Sequence, residues 1–174
     1  MTSFALFDTP IGVCGIVWGA EGILATRLPE ESVQATRTRL LRSYPNASEA
    51  APPQVIASVI EEVGALLRGE PRDLATAPLD MRSVTDFNRR VYELARRVLP
   101  GRTATYGTIA TQLGDATQAR VVGQALGKNP FPIIVPCHRI LGTNGRLVGF
   151  SANGGVETKR RMLVIEGAIT DLFM

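Results

Sequence analysis

The sequence holds one histidine, His138, and only two cysteines, Cys14 and Cys137. Two cysteines cannot build a disulfide scaffold, so a reducing compartment, the cytoplasm, is the expected setting. With a single histidine beside them, the donor set is too small for a usual four-ligand zinc site. Long apolar runs are absent, Phe131–Val135 being typical of those present. A membrane-spanning helix needs about 20 apolar residues, so no membrane association is expected. The start of the chain, Met1–Pro10, has Asp8 and no basic residue, which argues against a signal peptide or a presequence. No glycine-rich phosphate loop is found either. Lysine is scarce: of nineteen basic residues only Lys128 and Lys159 are lysines.

What is present is an ordinary globular composition. The chain has 174 residues, 45% hydrophobic and 20% charged. That length supports one domain or two small ones, with a core that needs no staples. The net charge of +3 hides an asymmetry. Residues 1–80 carry six arginines against ten acids, a balance of −4. Residues 81–174 carry thirteen basic residues against six acids, a balance of +7. A basic back half fits a polyanionic partner and equally fits a solvated basic face.

The pattern predicts an α/β (α+β) chain with a boundary near residue 80. Ser3–Phe7, Val13–Trp18 and Ile23–Leu28 read as strands of an antiparallel meander, split by turns rich in Gly and Pro. Ser32–Tyr44 reads as an exposed helix. Gln54–Leu67 reads as a second helix with Val55, Ile56, Val59, Val63 and Leu66 on one face. Arg72–Arg82 reads as a short strand and linker. In the back half Thr85 caps a helix over Asp86–Leu99, with Phe87, Val91, Leu94 and Val98 inward. Thr105–Leu113 and Gln118–Lys128, separated by Gly114–Thr117, form a helix-turn-helix candidate. A last helix covers Val156–Ile165.

The most informative run is Asn129–Arg139. Its prolines and β-branched residues predict a stiff, extended segment that delivers Cys137 beside His138. Arg139 and Arg146 add positive charge, which favours the thiolate, the nucleophilic form. A buried inert cysteine beside a satisfied core histidine is the plainer alternative. Cys14, in an apolar strand, has that plainer character.

The run Ile134-Val135-Pro136-Cys137-His138-Arg139 resembles the signature of the O6-alkylguanine-DNA alkyltransferases, the methylated-DNA–protein-cysteine methyltransferases. Tyr106-Gly107 with Ile109-Ala110 is similar to the family's first helix of its helix-turn-helix. Ala119-Arg120-Val121-Val122-Gly123 is similar to its recognition helix. Asn129-Pro130, Gly145, Gly149-Phe150, Gly154-Gly155, Lys159 and Glu166 match further positions. The likeness is strong over Phe87–Glu166. Over the first 80 residues it extends only to the general plan of a small strand-rich domain. The chain departs from the family at Val121 and Gln124, where smaller residues are common, and in a longer loop at Ser151–Asn153.

The resemblance implies a ribonuclease-H-like N-terminal domain over 1–80 and a DNA-binding, alkyl-accepting domain over 81–174. It implies direct reversal of damage: an alkyl group moves from guanine O6, and from O4 of alkylthymine, to Cys137, once per molecule and without a cofactor or metal. His138 would act as base through a water, Glu166 would fix the imidazole, and Asn129 would orient the cysteine segment. Tyr106 and Arg120 would turn out and replace the base, with Ala119 and Gly123 close to the groove. Pro132, Val148, Phe150, Ser151 and Asn153 would line the alkyl pocket. The implied partner is damaged double-stranded DNA, met in the minor groove by a monomer. A non-repairing DNA-binding module and a Cys-His hydrolase are the competing classes.

Overall fold

The computed structural model describes residues 1–171. The chain forms two compact units, one over Met1–Met81 with Pro130–Ile134, the other over Arg82–Asn129 with the segment from Val135 onward. The first unit ends next to the boundary expected near residue 80, and Pro130–Ile134 groups with it as well.

In the first unit β1 (Ser3–Thr9), β2 (Gly12–Gly19) and β3 (Gly22–Arg27) form the expected antiparallel meander. The turns are two residues long, with Gly12 and Gly22 at positive φ where they close. Gly22 also allows a close approach: a Cβ there would stand 2.5 Å from the Pro78 carbonyl oxygen. That approach lets Ile23 donate to Pro78 at 2.7 Å and accept from Asp80 at 2.8 Å. The strand expected within Arg72–Arg82 is reduced to this one bridge, Ile23 to Leu79.

Three further elements complete the unit. α1 (Val33–Ser43) is capped by Ser32, whose hydroxyl accepts from Ala35 N at 3.0 Å. It is less exposed than its sequence implies, since Leu40 packs with Phe4, Val17 and Ala25 in the core. β4 (Ser48–Glu49) pairs in parallel with β1, giving the order β3-β2-β1-β4. Two exposed residues carry no alternation, so this strand has no sequence signal. α2 (Gln54–Leu67) buries Ile56, Val59, Val63 and Leu66, whereas Val55 is 59% exposed.

The second unit is helical around a two-stranded sheet. α3 (Asp86–Ala95) begins at Thr85, whose hydroxyl accepts from Asn88 N at 3.3 Å. It stops short of Leu99 because the following hydrogen bonds tighten to i→i−3, from Arg97 to Leu94 and from Val98 to Ala95. Of the expected inward residues only Val91 is fully covered, and Tyr92 and Ala95 join it. β5 (Ala104–Thr105) leads into α4 (Tyr106–Gln112), capped by Thr105. A 3-10 turn at Ala116–Gln118 then precedes α5 (Ala119–Gly127). The Tyr92 hydroxyl donates to Ala125 O at 2.8 Å and ties α3 to α5. β6 (Ile140–Leu141) pairs in parallel with β5, and α6 (Gly155–Ile165) closes the unit. Among the described residues no helix is long and apolar enough to cross a membrane.

Candidate functional site

The cysteine segment is not the extended strand its prolines imply. Ile133 takes a positive φ of 76°, and Cys137 opens a tight 3-10 turn over Cys137–Arg139. Cys137 N donates to Val135 O at 2.8 Å and Arg139 N to Pro136 O at 2.9 Å. The turn leaves Cys137 partly exposed while His138 and Arg139 point into the unit and are buried.

Behind the turn lies an ionic cluster. His138 Nε2 stands 2.8 Å from Glu166 Oε1. Arg139 donates through Nε to Glu166 Oε2 and through Nη2 to Oε1, both at 2.8 Å, and through Nη1 to Val98 O at 2.7 Å. Burial opposes ionisation of Glu166, but the hydrogen bonds from His138 and Arg139 outweigh it and hold the carboxyl at about 2. An ionised Glu166 accepts, so His138 Nε2 carries the proton. Burial lowers the His138 pKa, with Glu166 pulling the other way, which favours the neutral ring. Its Nδ1 is then a lone-pair acceptor, and it is buried without a hydrogen-bond partner among the described residues. Such an atom is ready to accept a proton.

The thiol departs from its sequence expectation. Burial raises the Cys137 pKa, and a hydrogen bond from Asn129 and the charge of Lys159 lower it only in part. Arg139 does not supply the missing charge, because its guanidinium is engaged by Glu166 and Val98. Arg146 is exposed. Asn129 also donates Nδ2 to Val135 O at 2.9 Å, so one amide holds both the turn and the sulfur. Cys14 is buried and its thiol is pushed up to about 12 by burial; it is chemically quiet.

The remaining candidates fall in several places. Tyr106, at the start of α4, donates to Val148 O at 3.3 Å. A Cβ at Gly123 would lie 3.8 Å from the Tyr106 ring, so this glycine faces α4. Arg120 is exposed on α5 with Ala119 half-buried before it. Phe150 is half-buried, and Val148, Ser151 and Asn153 are exposed. Asn153 O accepts from Thr158 Oγ1 at 2.6 Å. Pro132 belongs to the first unit, where its carbonyl accepts from Thr26 Oγ1 at 2.7 Å.

Two residues escaped assignment from sequence. Arg139 reads as a loose cation near the thiol and is instead the clamp on Glu166. Lys159 matches the family by position but receives no role from the sequence, and it is fully buried. A second signal is that it remains a lysine in a chain that otherwise prefers arginine.

A half-buried cysteine, followed in the chain by a neutral imidazole that a buried carboxylate orients, is a site for a thiol nucleophile. Residues 86–168 match the family described as 6-O-methylguanine DNA methyltransferase, DNA binding domain. Over 167 residues the chain is 33% identical to the methylated-DNA–protein-cysteine methyltransferase of Mycolicibacterium paratuberculosis, covering 95% of this chain and 93% of that one. The namesake from Methanothermobacter thermautotrophicus is 32% identical over 91% of this chain and 81% of its own. Among solved structures, the Mycobacterium tuberculosis O6-methylguanine methyltransferase superposes with a TM-score of 0.76 at 32% identity, covering 99% of this chain and 98% of that one. The Mycobacterium tuberculosis OGT in complex with DNA superposes with a TM-score of 0.77 at 31% identity, over 95% and 93%. The chain belongs to the methylated-DNA–protein-cysteine methyltransferase family, DNA-repair methyltransferases with a DNA-binding domain.

Proposed function

We propose that this chain repairs O6-alkylguanine, and O4-alkylthymine, in double-stranded DNA by moving the alkyl group to its own Cys137. In that step the Cys137 sulfur forms a bond to the alkyl carbon as the carbon–O6 bond breaks. The thiol proton passes, through a water, to Nδ1 of His138; the electron pair of the broken bond stays on O6, and the guanine anion takes up a proton at N1 from water while His138 returns its own to solvent, which restores the normal base. The observation that carries this reading is the buried Arg139–Glu166–His138 cluster, which presents an Nδ1 with no hydrogen-bond partner among the described residues one residue from the half-buried Cys137. The product is a thioether, and no group beside it has the chemistry to cleave one, so each molecule acts once and no cofactor is required.

DNA is bound by residues 81–174, with α4 and α5 as the helix-turn-helix. Arg120 fills the place of the flipped base, Tyr106 steadies that base, and Ala119 and Gly123 keep the helix close to the minor groove. The alkyl pocket draws on Val148, Phe150, Ser151 and Asn153 of the second unit. Residues 1–80 form a ribonuclease-H-like domain, which the sheet order β3-β2-β1-β4 with one parallel edge fits. The protein works as a monomer in the cytoplasm, where two unpaired cysteines remain reduced.

The test is mass spectrometry after incubation with an O6-methylguanine duplex. One added methylene on the peptide holding Cys137 is the expected result. An unmodified protein, or repeated turnover, would overturn the reading.

A further inference from the structure

Lys159 is a buried cation with no anionic partner among the described residues. Its side chain is fully covered. All three ammonium protons are used, on Ile140 O at 2.7 Å, Val148 O at 3.1 Å and the Tyr106 hydroxyl at 3.4 Å. The rings of Tyr106 and Phe150 lie 5.7 and 5.9 Å from Nζ. Every one of these partners is neutral. Burying an ammonium among dipoles alone is costly, and such groups normally meet a carboxylate. Arg139 shows the contrast, for its guanidinium is also buried but has Glu166.

The anion that Lys159 lacks at rest is one the reaction creates. Ile140, its shortest contact, directly follows the Cys137–Arg139 turn. Helix α6, which carries Lys159, packs against the Cys137–Arg139 turn, and the charges that act on Cys137 come from Lys159, from Tyr92 of α3 and from Tyr106 of α4, with His138 next to it in the chain. The two tyrosines can bring only negative charge, and His138 is bonded to Glu166. Lys159 alone brings a fixed positive charge.

We infer that Lys159 is a positioning residue whose buried ammonium is the counter-charge of the Cys137 thiolate. Its place in the fold also pins the Val148 carbonyl and the Tyr106 hydroxyl, so the charge is held still while the thiol ionises. The cost of covering the lysine is thereby stored in the resting protein and relieved when the sulfur becomes an anion. Neutralising the sulfur by alkylation leaves the ammonium unpaired again. Burial lowers the Lys159 pKa and the charge of Cys137 raises it, in agreement with a coupling that runs both ways. The inference deepens the alkyl-transfer reading and rests on it for its purpose, but the coupling itself can be measured without DNA.

Only two lysines, Lys128 and Lys159, occur in the chain, so a carbon-13 lysine label gives two resolvable Cε titrations. Capping Cys137 with methyl methanethiosulfonate, located by peptide mass, removes the thiolate. The Lys159 midpoint is expected to fall by about one pH unit, a tenfold change, with Lys128 unmoved. An unchanged Lys159 midpoint would overturn the inference. As a second measurement, Lys159→Met should shift the pH profile of Cys137 alkylation by iodoacetamide upward by about one unit, and Lys159→Arg should restore most of it. A folded Lys159→Met protein with an unshifted profile would overturn it too. If Lys159→Met does not fold, the lysine titration of the unaltered protein decides. A normal coupling with no methyl gain from O6-methylguanine DNA would instead overturn the alkyl-transfer reading alone.

Discussion

Arg139 grips both oxygens of Glu166, through two hydrogen bonds of 2.8 Å each. The carboxylate has a further partner in His138, so one buried anion serves a structural cation and the imidazole at once. Buried clusters of this kind lose more when one member is removed than the whole is worth.

Glu166→Gln should therefore lower stability by about 3–5 kcal/mol, because it leaves Arg139 buried and unpaired. The carboxyl sits at about 2 in the folded protein, against about 4.3 when unfolded. Its contribution is full above the unfolded value and is lost as pH falls through about 4.3 towards the folded value. The gap between the unaltered protein and Glu166→Gln in urea unfolding should be wide at neutral pH and shrink over that window. A gap that stays constant with pH would contradict the assignment. The variant should also transfer alkyl groups slowly, since a neutral amide holds the imidazole tautomer weakly.

Cys137→Ala should abolish alkyl transfer and leave duplex binding largely intact. In the unaltered protein at mild alkaline pH, iodoacetamide should label Cys137 and leave Cys14 untouched. Cys14 is buried and its thiol lies near 12. Methyl transfer surviving in Cys137→Ala, detected by peptide mass, would point to a different acceptor.

Arg120→Ala separates base flipping from chemistry. Arg120 is exposed on α5 and outside the ionic cluster. The substitution should weaken duplex binding and slow repair of duplex O6-methylguanine. Reaction with free O6-benzylguanine, which needs no opening of a base stack, should be affected far less. Equal losses on both substrates would place Arg120 in the fold or the pocket.

Binding to undamaged duplex should weaken as salt rises, because cations of the second unit displace counterions from phosphates. The slope should correspond to a few phosphates and not to ten, since the front of the chain is acidic and Arg139 and Arg160 are already committed to carboxylates. Selection among undamaged sequences should be slight. Fluorescence anisotropy over a salt series reads both, and salt-insensitive or strongly sequence-selective binding would favour a regulator.

The parts of this molecule that sequence discloses are those with local causes. Thr85 caps its helix as the sequence predicts, because a hydroxyl before an apolar period has one good use there, and Ser32 and Thr105, read as first helical residues, serve the same way. The pairing of Cys137 with His138 is legible because nucleophile and base adjoin in the chain. What is hidden depends on distant partners. Nothing near Lys159 announces that Ile140 and Val148 will take its protons. Nor does an arginine after a histidine reveal that Glu166 waits 27 residues away. Val55 follows the apolar period of α2 yet ends outside, and Ile133 adopts a backbone that β-branched residues avoid. Both reflect tertiary packing that overrides local preference.

The return of Pro130–Ile134 to the first unit means that the polypeptide passes between the two units three times. Phe131, Ile133 and Ile134 are all buried, and Thr26 holds this segment through the carbonyls of Pro130 and Pro132. A gene lacking the codons for Met1–Met81 would retain the nucleophile, its base and the basic helices, yet carry three greasy residues stripped of their sheet just ahead of the cysteine. Evolution by simple loss of the front half is thus closed to this chain unless those residues change with it.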